Sequence, residues 1–223
     1  MSVTGRGRFL RRYPAARISN GMTLAAKKYW IFDLDGTLTV PAHDFDAIRT
    51  ELGLPQGRPI LEQLAELPEE RRTRLFERLD EIEIEIARRA RAQPGSRELL
   101  AALRARGAKI GILTRNSHAT ALETLRACAL AEFFAPPEIM SREMCALKPS
   151  GDGIKKLLSL WDAAPGDAVM VGDYLFDILA GHDAGTTTVF VDNLDRPEFA
   201  SKADRSVKSL EEIVAMIGER PGW

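Results

Sequence analysis

The chain has 223 residues, of which 45% are hydrophobic and 28% are charged, an ordinary composition for a soluble globular protein. Lys and Arg total 31 and Asp and Glu total 32, so the net charge gives no reason to expect a nucleic-acid partner. No apolar run approaches the roughly 20 residues that a membrane-spanning helix needs. The two cysteines, Cys128 and Cys145, lack metal-ligand spacing, and we expect both to be reduced thiols in a cytoplasmic protein.

The N-terminal segment is basic, since seven Lys or Arg residues and no acidic residue precede Asp33. We expect residues 1–26 to form a disordered tail. An organelle presequence, which is also basic and poor in acids, is the alternative.

Short apolar runs alternate with helical patterns along most of the chain, which predicts βαβ units and a doubly wound parallel sheet of the α/β class. Ser96 is expected to cap the first helix that follows the cap segment described below. The predicted strands are Tyr29–Phe32, Lys109–Leu113, Ala135–Met140, Ala168–Val171 and Thr187–Val191. The predicted helices between and after them are Ser96–Arg106, Ser117–Leu130, Gly153–Trp161, Tyr174–Ala184 and Leu210–Gly218.

One segment, residues 42–93, breaks this alternation and is predicted to form a small helical cap inserted after the first strand. The core would then comprise residues 27–41 and 94–223, with hinges at Val40-Pro41 and Pro94-Gly95. The sequence EIEIEI at 81–86 alternates as a strand would, but its flanks are helical, so we predict a helix there. The predicted cap helices are Asp44–Leu52, Pro59–Leu67 and Pro68–Ala92.

Polar residues follow the predicted strands at four places. Because ligands bind outside the carboxyl ends of parallel strands, we expect these places to converge on one edge of the sheet. Lys148 fits least well, since several residues separate it from its strand. The four places are Asp33 and Asp35 in DLDGT, Thr114, Lys148, and Asp173 and Asp177 in GDYLFD.

The chemistry of these groups predicts a phosphate bound beside a metal ion. Carboxylates gathered at one site repel each other unless a cation lies among them, and oxygen ligands near phosphate favour Mg²⁺. Lys148 adds a positive charge, Thr114 adds a hydroxyl, and the helix after Thr114 adds free N–H groups for an anion. Asp33 could attack phosphorus while Asp35 transfers protons.

The motifs FDLDGT, LTRN, the lysine of LKPS and VGDYLFD resemble, in order, the four motifs of the haloacid dehalogenase superfamily. The position of the cap resembles the phosphoglycolate-phosphatase-like branch. The resemblance implies a Rossmann-like core, with Asp33 as nucleophile and Asp35 as general acid and base. It also implies Mg²⁺ held by Asp33, the Asp35 backbone carbonyl and Asp173, with Asp177 either contacting these ligands or binding the ion through water. The family's dehalogenases lack an acid at the position of Asp35, which favours phosphoryl chemistry here.

The sequence therefore predicts a Mg²⁺-dependent phosphatase for a small phosphorylated metabolite. The alternatives are a phosphomutase of the same fold and a non-catalytic protein that binds a phosphorylated ligand. A phosphonate hydrolase resembling the known ones would need a lysine in the cap, and residues 42–93 contain none. The predicted phosphate ligands are Thr114, Arg115, Asn116 and Lys148.

Several other polar residues have no diagnostic pattern. His43 lies where the core meets the cap and could contact substrate. Arg49, Arg58 and Arg115 could hold a second anionic group of the substrate, although exposed arginines are common. Asn116 could instead cap the helix that follows it.

Overall fold

The computed structural model describes residues 23–193 and 195–218. Its strands are β1 (Tyr29–Phe32), β2 (Lys109–Leu113), β3 (Ile139–Met140), β4 (Ala168–Gly172), β5 (Thr187–Val191) and β6 (Arg205–Val207). Its α-helices are α1 (Phe45–Glu51), α2 (Ile60–Ala65), α3 (Glu69–Ala87), α4 (Ser96–Ala105), α5 (His118–Ala127), α6 (Asp152–Trp161), α7 (Leu175–Ala184), α8 (Pro197–Ala200) and α9 (Leu210–Gly218).

The strands form one parallel sheet in the order β3-β2-β1-β4-β5-β6. The chain builds outward from β1 to β3 and then returns to place β4 on the other side of β1. The strand order therefore reverses beside β1, which is where open α/β sheets bind ligands. The predicted α/β class and doubly wound parallel sheet are confirmed.

The apolar runs of the central strands are continuous because helices cover both faces of the sheet. In β1, Trp30 and Phe32 belong to the apolar cluster that includes helices α4, α5 and α9, while Ile31 lies in the cluster that includes α6. These three side chains have no exposed surface. Because successive side chains of a strand point to opposite faces, this one short strand contributes to the apolar clusters on both faces of the sheet.

The structure differs from the sequence prediction at the sheet edges. Strand β3 is only two residues long, because Pro136–Glu138 form a 3₁₀ helix where a longer strand was predicted. Strand β6 was missed because its first two residues are exposed and it contains no apolar run. The N-cap of α4 is Gly95, and Ser96 instead donates its hydroxyl to the carbonyl of Leu38 at 2.8 Å.

Helices α1 to α3 pack around an apolar cluster of their own, which includes Ile48, Leu64 and Leu79. The EIEIEI sequence is helical, as predicted: buried residues recur every four positions, at Leu79, Glu83 and Ala87. Its glutamates Glu81 and Glu85 are exposed. Helix α3 ends at Ala87, five residues before the predicted end.

The two segments that join α1–α3 to the sheet run side by side. The amide of Val40 donates to the Arg91 carbonyl at 2.9 Å, and the amide of Gln93 donates to the Leu38 carbonyl at 2.9 Å. An antiparallel bridge between Thr39 and Ala92 lies between these bonds. The exact division into core and cap, and hinge motion at Val40-Pro41 and Pro94-Gly95, stay predictions.

The predicted N-terminal tail of residues 1–26 lies mostly outside the described residues. Its last part does not fit the prediction, because Leu24–Ala26 form a 3₁₀ helix whose Leu24 is buried in the core. Both cysteines, Cys128 and Cys145, are free. Within the described residues, no helix combines the length and apolar character required to cross a membrane.

Candidate active site

The acidic residues meet where β1 and β4 end side by side. Phe32 is the register partner of Val171, so Asp33 and Asp173 follow neighbouring strands, and Asp177 lies in the first turn of α7. Each of these three aspartates places one carboxylate oxygen within 4.8 Å of an oxygen of the other two. We call this group the acidic centre.

Lys148 connects two members of the acidic centre. Its ammonium group donates to Asp33 Oδ1 at 2.6 Å and to Asp177 Oδ1 at 2.7 Å, and the residue is 3% exposed. Burial alone would lower the pKa of Lys148, but the carboxylates of Asp177 and Asp33 outweigh it and raise the pKa above its ordinary value. A buried lysine that keeps its charge provides fixed positive charge beside Asp33.

The acidic centre cannot carry its full negative charge at low cost without a cation. Burial, together with the charges of Asp33 and Asp177, raises the pKa of Asp173 to about 8. Burial likewise raises the pKa of Asp177 to about 6, although Lys148 opposes the shift. Both values show that the second and third negative charges are unfavourable here, which is the electrostatic condition that a divalent cation relieves.

The turn after Asp33 depends on a glycine. Gly36 has φ +85°, and a Cβ atom there would lie 2.5 Å from Asp173 Oδ2. The next residue, Thr37, donates its hydroxyl to Asp173 Oδ1 at 3.0 Å. Gly36 and Thr37 belong to the DLDGT motif; the sequence predicts a turn at Gly36, which is confirmed, but predicts no role for Thr37. The motif fixes the shape of the turn as well as supplying acids.

Asp35 has partners different from those of the acidic centre. Its Oδ2 accepts a hydrogen bond from Asn116 Nδ2 at 2.6 Å, and His43 Nδ1 lies 3.8 Å from its Oδ1. Burial raises the pKa of Asp35, with His43 acting in the opposite direction. The Asp35 carboxylate therefore does not belong to the acidic centre. Metal binding through the Asp35 backbone carbonyl stays a prediction.

Thr114 follows β2 and is 3% exposed, with its Oγ1 accepting a hydrogen bond from the Asn116 amide at 3.1 Å. The helix that follows does not present its first amides freely, contrary to expectation. The His118 amide donates to Glu143, and the Thr120 amide donates to Ser117. Anion binding by these two helix amides is thus excluded in this arrangement.

Two core arginines bind acidic residues of α2 and α3 instead of pointing to the acidic centre. Arg115, predicted as a phosphate ligand, donates to both carboxylate oxygens of Glu62 at 2.7 and 2.8 Å. Arg142, which the sequence did not single out, donates to Glu83 at 2.8 Å and also pairs with Asp80. We therefore leave Arg115 out of the phosphate site.

A cleft of about 540 Å³ lies between these helices and the acidic centre. One wall carries apolar side chains such as Ile48 and Leu79, and the floor carries the acidic centre with Thr114 and Lys148. Cleft residues outside the predicted site include Phe45, Gly57, Pro59, Ile60, Leu61, Glu83, Tyr174, Phe176 and Arg196. The volume suits a small metabolite.

The donor set fits Mg²⁺. Mg²⁺ prefers oxygen ligands and is commonly held by one or two carboxylates together with substrate phosphate. The acidic centre consists of carboxylate oxygens, and its raised pKa values mark a site short of positive charge. Lys148 donates to both Asp33 and Asp177, so Asp173 is the member of the acidic centre that has no lysine partner among the described residues.

Comparison with known families agrees with this geometry. A model of the family described as haloacid dehalogenase-like hydrolase matches residues 41–191, more than half of the chain. The chain belongs to the haloacid dehalogenase-like hydrolases. The predicted membership, and with it the prediction of a hydrolytic enzyme, is confirmed. The matched range includes Thr114, Lys148, Asp173 and Asp177, and begins after Asp35.

Individual relatives of this haloacid dehalogenase-like hydrolase cover most of its length. It is 32% identical to a haloacid dehalogenase-like hydrolase domain-containing protein of Arabidopsis thaliana, over 84% of this chain and 82% of the relative. It is 29% identical to an uncharacterized hydrolase of Saccharomyces cerevisiae, over 84% and 89%. The solved structure of a predicted phosphoglycolate phosphatase from Haemophilus somnus shares the fold, with a TM-score of 0.69 and 23% identity over 88% and 99%.

Proposed function

We propose that this hydrolase is a Mg²⁺-dependent phosphatase that acts on small phosphate monoesters through an aspartyl-phosphate on Asp33. The observation that carries the proposal is the acidic centre at the ends of β1 and β4, with Lys148 bonded to two of its members. Three carboxylates and one buried lysine suit phosphoryl transfer, in which charge stabilisation is the main task. The phosphatase description of the Haemophilus somnus protein is consistent with it.

Asp33 is the proposed nucleophile. Its Oδ1 accepts from Lys148, which leaves Oδ2 for attack on phosphorus. Attack forms the Oδ2–P bond and breaks the bond between phosphorus and the ester oxygen. When bound, Mg²⁺ would offset the charge of the phosphoryl oxygens, and Lys148 and the Thr114 hydroxyl would bind those oxygens from the protein side.

Asp35 is the proposed general acid and base. Burial raises its pKa, so it can hold the proton that the departing alkoxide takes up. Its carboxylate then accepts a proton from the water that attacks the aspartyl-phosphate, which returns Asp33 and inorganic phosphate. Asn116 donates to Asp35 Oδ2 at 2.6 Å and fixes the orientation of the carboxyl group. We therefore propose Asn116 as a positioning residue and not as a direct phosphate ligand.

The proposal extends to cellular setting and partner. A small phosphorylated metabolite as the partner fits a cleft of about 540 Å³. A cytoplasmic location fits the two free cysteines. No nucleic-acid partner is proposed.

Phosphate release from a panel of monoesters tests the function, with MgCl₂, with EDTA and with the Asp33→Asn variant. We expect Mg²⁺-dependent release that falls by roughly 10³-fold or more in the variant. Asp162→Asn is the matched control, because Asp162 is exposed and its left-handed conformation (φ 51°) suits asparagine. Release that survives both EDTA and Asp33→Asn would disprove the mechanism. Isomerised sugar phosphate without free phosphate would instead identify a phosphomutase.

A further inference from the structure

One arginine of the cleft has no carboxylate partner among the residues that the structure describes. Among the described residues, three cleft arginines have carboxylate partners: Arg49 pairs with Asp46, Arg58 with Glu66 and Arg115 with Glu62. The fourth, Arg196, forms no ion pair with any described residue, and its side chain lines the same cleft.

Hydrogen bonds fix the backbone position of Arg196. Its backbone amide donates to Asp192 Oδ1 at 2.5 Å, and Asp192 is itself bonded to Lys208 at 2.6 Å. In the same loop, Asn193 Nδ2 donates to the Gly36 carbonyl at 2.5 Å. The loop after β5 is therefore tied directly to the turn that follows Asp33.

The side chain of Arg196 is also oriented. Its guanidinium lies over the ring of Tyr174, 5.4 Å from the centroid, and Tyr174 packs edge-on against Phe199 and Phe176. Stacking on an aromatic face leaves the N–H groups at the edge of the guanidinium plane available. That planar edge matches the two oxygens of a carboxylate or phosphate.

We propose that Arg196 recognises a second anionic group on the substrate, at the end remote from the phosphate that is cleaved. The substrate class is then a small phosphate monoester that also carries a carboxylate or a second phosphate. This inference rests on the proposed phosphatase function and adds the specificity-determining residue. The three other arginines of the cleft are paired with carboxylates, so an ester without a second anionic group would leave the Arg196 charge without a partner.

Matched substrate pairs test this proposal. Glycerol 3-phosphate and 3-phosphoglycerate differ mainly in a hydroxymethyl group against a carboxylate, and fructose 1-phosphate and fructose 1,6-bisphosphate differ in a second phosphate. For at least one pair we expect the member with two anionic groups to have the higher kcat/KM. Arg196→Ala should lower kcat/KM for that member by about 10- to 100-fold, mainly through KM. The kcat/KM of the member whose only anionic group is the cleaved phosphate should stay within about two-fold of the parent value.

Two further variants separate specific recognition from general charge. Arg196→Lys keeps the charge but loses the planar fork, so its kcat/KM should fall between those of the parent and Arg196→Ala. Arg58→Ala removes a cleft arginine that is already paired with Glu66, and should leave the ratio within each substrate pair unchanged.

The outcomes are distinct. An equal ratio in the parent and in Arg196→Ala, or a parent preference for the singly anionic esters, would overturn the assignment of Arg196 while the phosphatase function stands. Failure to release phosphate from every ester would overturn the proposed function and this inference with it.

Discussion

The acidic centre and the boundary between the core and helices α2 and α3 use the same kinds of charged groups in opposite ways. In the acidic centre, one lysine faces three carboxylates, which leaves negative charge in excess. At the boundary, Arg115 matches Glu62, and Arg142 faces Asp80 and Glu83. The acidic centre is suited to binding a cation because two of its negative charges are unmatched, whereas at the boundary two arginines face three carboxylates and join two parts of the chain. The larger charge excess therefore distinguishes the candidate binding site from the structural contact.

We expect the largest loss of stability from a substitution that increases the excess negative charge of the acidic centre. Lys148→Met removes the only cation that contacts Asp33 and Asp177 within the described residues. Leaving a buried charge without its partner costs about 3–5 kcal/mol. We expect a loss of that size in urea-induced unfolding without Mg²⁺, together with loss of phosphatase activity.

Lys155→Met is the control for the lysine substitution. Lys155 pairs with Asp183 on the surface, where such pairs contribute about 0–1 kcal/mol. If Lys148→Met destabilises the protein no more than Lys155→Met does, the contacts of Lys148 do not contribute to folding stability as described.

A smaller effect is expected from changing the shape of the acidic centre without changing its charge. Gly36→Ala adds a Cβ atom 2.5 Å from Asp173 Oδ2, whereas Gly107→Ala has a similar φ of +74° and meets nothing within 4 Å. In both variants the free energy of unfolding should fall by about 1–2 kcal/mol, because alanine is unfavourable in the left-handed backbone conformation. Only Gly36→Ala should also weaken Mg²⁺ binding in calorimetry. Equal Mg²⁺ affinity in the two variants would contradict the role of Gly36.

The last effect concerns the boundary between the core and helices α2 and α3, and it depends on pH. Burial raises the pKa of Glu83 from 4.5 to about 7 against the opposing effect of Arg142. The folded protein then holds a proton that the unfolded chain releases, so this contribution stabilises at low pH and is lost as pH rises from about 4.5 to 7. Relative to Glu83→Gln, the parent should lose about 1 kcal/mol per pH unit across that window.

Unfolding of the parent and of Glu83→Gln at several pH values measures this difference, with Glu85→Gln as an exposed control on the same helix. A difference that does not change with pH would show that Glu83 stays ionised beside Arg142, and that the boundary is a permanent ion pair.

The sequence could predict the acidic centre because topology brings its members together. Asp33 and Asp173 each follow a strand, and the parallel register of β1 and β4 makes their positions neighbours whatever the side chains in between. Lys148 was predictable from its motif, but its bonds to Asp33 and Asp177 required the structure. Roles for Asp33, Asp35 and Lys148 in the reaction stay proposals for experiment.

The boundary could not be predicted in the same way. Arg142 meets Asp80 and Glu83 across about 60 residues of chain, and nothing in the local pattern pairs one arginine of many with those acids. Arg115 was predicted to bind phosphate or a second anionic group of the substrate, yet Glu62 from α2 accepts its hydrogen bonds. Strand β6 was not predicted for a related reason: it is a strand because it pairs with β5, and its own composition does not indicate one.

The paired segments beside Val40 and Arg91 have a consequence for engineering. Their backbones are one hydrogen bond apart, so the sheet's helical insertion leaves and returns at nearly the same point. A short turn could join residue 40 to residue 91 without stretching either end, and an insertion of different length could start and finish there. The molecule thus contains a point at which helices α1–α3 could be exchanged while the acidic centre at the ends of β1 and β4 stays intact.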